Sequence, residues 1–254
     1  MKNIDLVKKY DDVYKKNVST FFTYKPITDY LVILEMMPDW SDIDVLEIGC
    51  GKGELSAMMS FAGARKVDAV DYSSEAIEKA RKTFHINNVN FILGDYRKIT
   101  ERYDAIVMNG VLEHFDHPFE ELRFIIDTNL NDGGVVITSS PSFINPRGYV
   151  WMTLQLLFDV PMSLTDLHFL CPFDFEEFAE KNDLNIEFKS TNQDWGAGKR
   201  TIIDFNKRLR NALKDAGLNS TGVDSLLEWL SKAIKYHQTD EHSGAVVTYK
   251  IMEK

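Results

Sequence analysis

The feature of the sequence that most restricts the fold is a series of short runs rich in Val and Ile that begins at residue 43. The runs are 43–49, 66–72, 89–93, 104–109 and 134–140. Helical patterns separate them, and this alternation is typical of strand-helix-strand units whose strands lie parallel in one sheet. The sequence therefore predicts an α/β fold with helices on both faces of a doubly wound sheet.

The helical segments between the first runs have recognisable ends. The segment after the first run ends at Gly63, and Ser73 or Ser74 is well placed to cap the next helix. Pro118 suits the first position of the helix that precedes the fifth run. These signals support the division of the first 140 residues into alternating strands and helices.

Beyond residue 140 the regular alternation ends. Residues 143–162 are aromatic and apolar without strand character, and a helical pattern then leads into a sixth strand at 184–190. Two further helices are predicted within 200–235. The alternating residues 245–253 are read as an edge strand. Helices are thus expected between the last strands.

Charge and composition disfavour several classes of partner. The formal net charge is -10, and no basic stripe is present for a nucleic-acid backbone to follow. No stretch approaches the roughly 20 apolar residues needed to span a bilayer. The two cysteines, Cys50 and Cys171, predict no disulfide framework and fit a reducing compartment. We therefore expect a cytoplasmic protein that binds neither nucleic acid nor membrane.

A glycine-rich loop follows the first predicted strand. In open parallel sheets, ligands bind outside the carboxyl ends of the strands, which is where this loop lies. Gly49, Gly51 and Gly53 allow the backbone to turn tightly and approach a ligand. A dinucleotide loop needs glycine or alanine at the sixth position of its motif, whereas this chain has Glu54 there. The loop therefore predicts a nucleotide-containing ligand other than a dinucleotide.

The segment VLEIGCGKGELS resembles the first motif of class I S-adenosylmethionine-dependent methyltransferases. The later segment VMNGVLEHFDHP is similar to the LEH stretch of the small-molecule subgroup, which includes quinone-biosynthesis and sugar methyltransferases. The resemblance covers residues 43–140 well and the remainder only in topology. It implies that S-adenosylmethionine is the cofactor, that Asp71 accepts hydrogen bonds from the ribose hydroxyls and that Asp95 with Tyr96 contacts the adenine.

The resemblance also implies an architecture and a set of cofactor contacts. The expected fold is a Rossmann-like, mostly parallel seven-stranded sheet with an antiparallel last strand, N-terminal helices and a helical lid insertion. One domain, 1–254, would comprise a helical cover (1–40), a cofactor-binding core (41–140) and acceptor-side insertions (141–183 and 191–243). The predicted cofactor-binding residues are Glu47, Gly49, Cys50, Gly51, Gly53, Asp71, Tyr72, Asp95, Tyr96, Asn109 and Gly110. Tyr14 and Tyr24 are added from the aromatic N-terminal segment, which could form either a cofactor lid or a packing stripe.

Two histidines are candidate general bases. His114 belongs to the LEH stretch, and His168 lies where related enzymes cover the acceptor pocket; either could instead be a structural histidine. Asp116 and His117 lie beside His114, but His117 precedes Pro118 and is better placed as a helix cap than as a ligand. No metal is expected.

Three basic residues in the insertions are candidate anchors for an anionic acceptor, the alternative being solvated surface charge. They are Arg147, Lys199 and Arg200. The sequence thus predicts O-methylation of a small polar metabolite such as a nucleotide-linked or phosphorylated sugar. An apolar aromatic or quinone-type metabolite, O- or N-methylated, is the alternative, supported by the Phe, Trp, Leu and Met content of 143–162.

Two rival functions belong to other classes. An NAD-dependent oxidoreductase would share the sheet but conflicts with Glu54 and leaves the LEH stretch unexplained. A non-catalytic module that holds the cofactor would keep the same loop. A small-molecule acceptor is the expected partner, and the chain could be a monomer or a homodimer.

Overall fold

The computed structural model describes residues 27–160, 167–237, 240 and 243–254. Tyr14 and Tyr24 lie outside the described residues. The described strands form one seven-stranded sheet in the order β3-β2-β1-β4-β5-β7-β6. They are β1 (Asp44–Ile48), β2 (Lys66–Asp71), β3 (Val89–Leu93), β4 (Tyr103–Asn109), β5 (Leu130–Pro141), β6 (Leu184–Thr191) and β7 (Val246–Glu253).

Strands β1 to β5 pair in parallel, and β7 runs antiparallel to both of its neighbours, β5 and β6. The predicted mostly parallel sheet with an antiparallel last strand is confirmed. The reading of 245–253 as an edge strand is wrong, because β7 lies between β5 and β6. Its residues from Val246 to Tyr249 are all buried, so both faces of this strand are covered.

Nine α-helices connect or flank the strands in the described part of the chain. They are α1 (Ile27–Glu35), α2 (Glu54–Phe61), α3 (Ser74–Thr83), α4 (Pro118–Asn129), α5 (Pro146–Phe158), α6 (Pro172–Lys181), α7 (Gln193–Ala197), α8 (Lys199–Asp215) and α9 (Val223–Ala233). Ser73 caps α3 by accepting a hydrogen bond from the Ala76 amide, and Pro118 begins α4 as predicted. None of the helices in these ranges has the length and apolar character to cross a bilayer.

Two apolar clusters cover the two faces of the sheet, and a third lies within the inserted helices. One sheet cluster includes Ile106 and Phe175, and the other includes Ile33 and Leu55. The third cluster contains residues of α5, α8 and α9, including the fully buried Trp151 and Phe205. Because α5, α8 and α9 share this cluster, they pack together as a distinct helical layer.

The strand directions determine where this layer joins the sheet. Because β5 and β6 end at the same edge as β1, the chain enters α5 and α7 at the carboxyl edge. Asn145 reinforces the junction, since its side-chain amide donates to the carbonyl oxygens of Ser142 (3.0 Å) and Gly244 (2.9 Å). The helical layer is therefore attached at the edge where the glycine loop lies.

Candidate functional site

The glycine loop connects β1 to α2 at the carboxyl edge. Gly49, Gly51 and Gly53 all have positive φ angles, of 75°, 54° and 82°. The Gly49 amide donates to the Val70 carbonyl oxygen at 2.8 Å. A Cβ atom at Gly53 would lie 2.5 Å from the Phe91 ring. Glycine is thus required here for both backbone conformation and space, and α2 begins with its free amides at the loop.

Asp71 joins the loop to the end of β2. One carboxylate oxygen accepts from the Gly51 amide (2.9 Å), and the other accepts from the Ser73 amide (2.8 Å). These two backbone amides fix the orientation of the Asp71 side chain at the loop. Its contact with the ribose hydroxyls stays a prediction.

Glu47 lies on β1, directly before the loop, and only 3% of it is exposed. Its carboxyl group accepts a hydrogen bond from the Ser56 hydroxyl. Burial raises the pKa of Glu47 to about 8; the Ser56 bond opposes the shift, and Asp71 and Glu54 add to it. Burial also raises the pKa of the Cys50 thiol well above its usual value, so this thiol is not a thiolate nucleophile.

The predicted contacts after β3 and β4 lie at the same edge, because their strands are parallel to β1. Asp95 accepts from the Arg97 amide at 3.2 Å, and the Tyr96 hydroxyl donates to Glu121. Burial and this bond raise the pKa of Tyr96. Asn109 accepts from the Ser139 hydroxyl.

Gly110 and Tyr72 complete this set of predicted contacts. Gly110 has a φ of 67°, and its amide donates to the Ser139 carbonyl oxygen at 2.9 Å. Tyr72, at the end of β2, is 36% exposed. The structure thus brings the described residues of the set to one edge, and the individual contact of each with the cofactor stays a prediction.

The two candidate bases lie on segments that are bonded to each other. The amides of Leu167 and His168 donate to the carbonyl oxygen of Glu113, at 2.8 and 3.2 Å. The His168 Nε2 atom lies 3.1 Å from the Asp116 carbonyl oxygen. His114 follows Glu113 directly, so the structure brings both histidines to the loop after β4.

His117 occupies the N-cap position of α4, as predicted, but its side chain makes no capping hydrogen bond. Among the residues with described positions, no group of three or more His, Cys, Asp and Glu side chains could hold a metal ion.

The candidate anion anchors have carboxylate partners within the chain. The Arg147 Nε atom lies 2.8 Å from Asp204, which is 1% exposed and also lies 3.4 Å from Arg208. Burial raises the pKa of Asp204, but the two arginines outweigh it and hold the pKa below its usual value. An acceptor anion that binds Arg147 would therefore have to share this arginine with the buried Asp204 carboxylate.

The other two anchors lie at the start of α8. Arg200 is 3.3 Å from Asp194, and both side chains are 55% exposed. The Arg200 guanidinium also lies over the Trp195 ring, 5.7 Å from its centroid. The Lys199 amide donates to Asp194 at 2.9 Å, and its side chain is exposed. Substrate binding by these residues stays a prediction.

Three buried polar residues were missed by the sequence reasoning. Glu113 accepts from Ser140 (3.3 Å), Ser56 donates to Glu47, and Asp204 pairs with Arg147. The glycine motif gives no signal for Ser56, since Ser56 lies nine residues after Glu47 on the next helix. For Asp204 the sequence does offer a signal. The residue lies on the apolar face of the amphipathic helix α8, directly before the buried Phe205, and this position indicates that Asp204 is buried.

Residues 15–189 match a family model described as a methyltransferase domain. The chain belongs to this family. The resemblance to class I S-adenosylmethionine-dependent methyltransferases is confirmed, and S-adenosylmethionine is the cofactor of the family. The DhpI-SAH complex has the same fold, with a TM-score of 0.60, 16% identity, and coverage of 98% of this chain and 95% of that chain.

Curated relatives match a shorter part of the chain. The ribosomal protein L11 methyltransferase of Helicobacter pylori is 29% identical over 48% of this chain and 44% of its own length. The ribosomal RNA small subunit methyltransferase C of Chromohalobacter salexigens is 30% identical over 53% of this chain and 39% of its own length. The match thus spans less than half of either relative, and both are named for macromolecular acceptors.

Proposed function

We propose that this chain transfers the methyl group of S-adenosylmethionine to a hydroxyl oxygen of a small polar metabolite, such as a nucleotide-linked or phosphorylated sugar. The observation that carries the proposal is the pair of hydrogen bonds from Leu167 and His168 to the Glu113 carbonyl oxygen. These bonds join the segments that carry the two candidate bases at the loop that follows β4. A hydroxyl acceptor needs such a base, whereas a neutral amine does not.

When bound, the cofactor supplies an electrophilic methyl group on a sulfonium. Glu47, the glycine loop and Asp71 would hold it at the ends of β1 and β2. The protein's main task is then to align the acceptor oxygen with the methyl-sulfur bond and to exclude water. His114 or His168 would take the acceptor's proton as the oxygen attacks.

Charge and topology support a small acceptor over a macromolecular one. The net charge of -10 opposes a polyphosphate chain, although one relative is named for ribosomal RNA. The helical layer of α5, α8 and α9 is attached at the carboxyl edge and has its own apolar core. A layer in this position suits the enclosure of a small molecule. The two buried, free cysteines support a reducing, cytoplasmic location.

An apolar aromatic acceptor is the second candidate, and the end of α5 favours it. Leu156, Leu157 and Phe158 are 73%, 70% and 53% exposed, although all three are apolar. An exposed apolar surface on the inserted helices is a place where an aromatic or prenylated metabolite would rest. The pairing of Arg147 with Asp204 also removes one free cation that an anionic acceptor would use.

Single-turnover kinetics of histidine variants test the hydroxyl mechanism. Replacement of the true base, His114→Ala or His168→Ala, should lower the rate by roughly 10²- to 10⁴-fold. His85→Ala is the matched control, because His85 is exposed and follows α3. An unchanged rate in the double variant His114→Ala/His168→Ala would rule out a histidine base.

Acceptor preference separates the two candidates. With sugar phosphates and phenols as probes, the anionic-acceptor proposal expects Arg200→Ala to raise the KM of phosphorylated acceptors by about tenfold without changing that of uncharged ones. An unaltered KM for every acceptor that turns over would refute the anion anchor. Turnover of phenols alone would favour the apolar class.

A further inference from the structure

Strand β3 forms one of the two edges of the sheet, with β2 as its only neighbour in the strand order. The register of the pair is set by bonds such as the one from the Val67 amide to the Asn88 carbonyl oxygen, at 2.8 Å. In a parallel pair with this register, the amides and carbonyl groups of Asn90 and Ile92 face β2. The backbone groups of the alternate residues of β3 therefore point away from the sheet.

The outward-pointing residues are Val89, Phe91 and Leu93. The Val89 amide donates within its own turn to the Ile86 carbonyl oxygen (3.2 Å), and the Arg81 guanidinium donates to the Phe91 carbonyl oxygen (2.5 Å). Within the described ranges, no hydrogen-bond partner is present for the Phe91 and Leu93 amides. Free groups of this kind on an edge strand are a template for pairing with another chain.

The two edges of the sheet differ in how well they are protected. On the opposite edge, Glu187 and Lys189 of β6 form ion pairs with Lys250 (3.5 Å) and Glu35 (2.5 Å). Charged side chains on an edge strand hinder pairing with another chain. β3 has the sequence VNFIL without a charged residue, and its Leu93 is 50% exposed. β3 is thus the edge that can receive a further strand.

An open groove of about 370 Å³ lies beside this edge, between β3 and the end of α3. Its apolar lining comes from Phe84, Ile86, Val89 and Phe91. Arg81, in the last turn of α3, also lines it and bonds a neutral carbonyl oxygen rather than a carboxylate. No Asp or Glu is among the described residues that line the groove. A strand added to β3 would hold alternate side chains over this groove.

We propose that β3 is a docking site for an extended, acidic segment of a partner protein, which adds to the seven-stranded sheet as a further strand. The amides of Phe91 and Leu93 bond to the partner's backbone. A carboxylate of the partner draws Arg81 away from the Phe91 carbonyl oxygen, because a charge-assisted hydrogen bond is roughly twice as strong as a neutral one. Arg81 therefore covers the edge in the free protein and selects the charge of the partner.

Two peptides of about ten residues test the proposal, one alternating Glu with Val and the other alternating Lys with Val. Fluorescence anisotropy of the labelled peptides gives their affinities for the full chain. The acidic peptide should bind at least about tenfold more tightly. Hydrogen exchange measured by NMR should slow at the Phe91 and Leu93 amides when it binds. The Asn90 and Ile92 amides, already bonded to β2, should change little.

Leu93→Pro removes an outward amide that bonds nothing within the sheet. The substitution should weaken binding of the acidic peptide by about tenfold while the protein stays folded, because proline is tolerated where the amide of an edge strand faces solvent. Ile92→Pro is the contrasting variant. It removes an amide that bonds to β2, so it should lower the Tm of the protein.

If Leu93→Pro fails to fold, Arg81→Ala provides a second test. Without the guanidinium, the affinities for the acidic and the basic peptide should become about equal. Lys82→Ala is the matched control, because it removes the same charge from the next residue. The Lys82 side chain is 77% exposed and lies 3.5 Å from Glu78, so its loss should leave the preference for the acidic peptide unchanged.

Equal affinities of the unmodified protein for the two peptides, or unchanged exchange at Phe91 and Leu93, would overturn the proposal. Undiminished binding in Leu93→Pro, or a retained preference in Arg81→Ala, would do the same. A dimer in analytical ultracentrifugation that dissociates in Leu93→Pro would assign the edge to a second copy of this chain, which also overturns the proposal.

Discussion

The cofactor edge and the acceptor side of this protein are held together by different kinds of contact. At the cofactor edge, backbone amides define the site: Gly51 and Ser73 donate to Asp71, which lies 20 residues from Gly51. On the acceptor side, side chains far apart in sequence meet, as in the pair of Arg147 and Asp204, 57 residues apart. The first arrangement depends on a short segment, and the second on the completed fold.

This difference explains why the cofactor is easier to assign than the acceptor. A loop of alternating glycines with positive φ angles leaves few alternatives for its ligand. The ion pairs and apolar surfaces of the inserted helices can change without altering the sheet. The residues that would select the acceptor are therefore not fixed by the fold.

The largest effect is expected from Asp204→Ala, which leaves Arg147 without its buried partner. The free energy of unfolding, measured in urea, should fall by about 3–5 kcal/mol. The folded protein should bind S-adenosylmethionine with unchanged affinity, because the cofactor edge does not use this pair. Asp194→Ala, which breaks an exposed pair with Arg200, should cost at most about 1 kcal/mol. Equal costs, or a loss of cofactor affinity, would break the distinction between the two regions.

A smaller effect is expected at the glycine loop from Gly53→Ala. The new Cβ would meet the Phe91 ring at 2.5 Å and would force a left-handed backbone onto alanine. We expect a loss of about 2–4 kcal/mol in unfolding free energy and weaker cofactor binding.

Gly133→Ala is the matched control for this substitution. Gly133 has a similar φ of +73° with no atom within 4 Å of the added Cβ, so the cost should be only about 1–2 kcal/mol. If the two variants lose equal stability, the close packing of the loop contributes nothing.

Measured per pH unit, the smallest effect concerns the contribution of Glu47 to stability. Its folded pKa of about 8 lies above the unfolded value, so the folded protein holds a proton that the unfolded chain releases. Stability from this group is therefore present at low pH and is lost as pH rises from about 4.5 towards 8, by up to about 1.4 kcal/mol per unit. Glu47→Gln should flatten this part of the stability profile. An identical profile would mean that the carboxyl is already ionised.

The sequence predicts the part of the fold that is encoded locally. The five Val- and Ile-rich runs, the Ser73 cap and the glycine loop all appear as predicted, because each depends on neighbouring residues. The predicted position of β7 is wrong. The polar residues Thr248 and Lys250 alternate with apolar ones, and this alternation is typical of a strand with one face in solvent. In the structure Thr248 is buried where α1 packs on the sheet, and Lys250 pairs with Glu187 at 3.5 Å.

Much of the site is beyond sequence reasoning for the same reason. The sequence predicts Arg147 as an available cation, whereas the fold pairs it with Asp204, and no local pattern indicates that Glu113 is only 3% exposed. Both depend on contacts between distant segments, which no local pattern records. The bonds that bring His168 to the loop of His114 are of the same kind.

Calorimetric titration of the purified protein with S-adenosylmethionine, its demethylated product and NADH tests the central claim most directly. The account predicts binding of the two sulfur ligands alone. It also predicts a loss of about 100-fold in affinity in Asp71→Ala, because the bond from the Gly51 amide and the predicted bonds from the two ribose hydroxyls would be lost. Asp132→Ala, at an exposed position, should leave the affinity unchanged. Binding of NADH instead, or undiminished binding in Asp71→Ala, would contradict the assignment of the glycine loop.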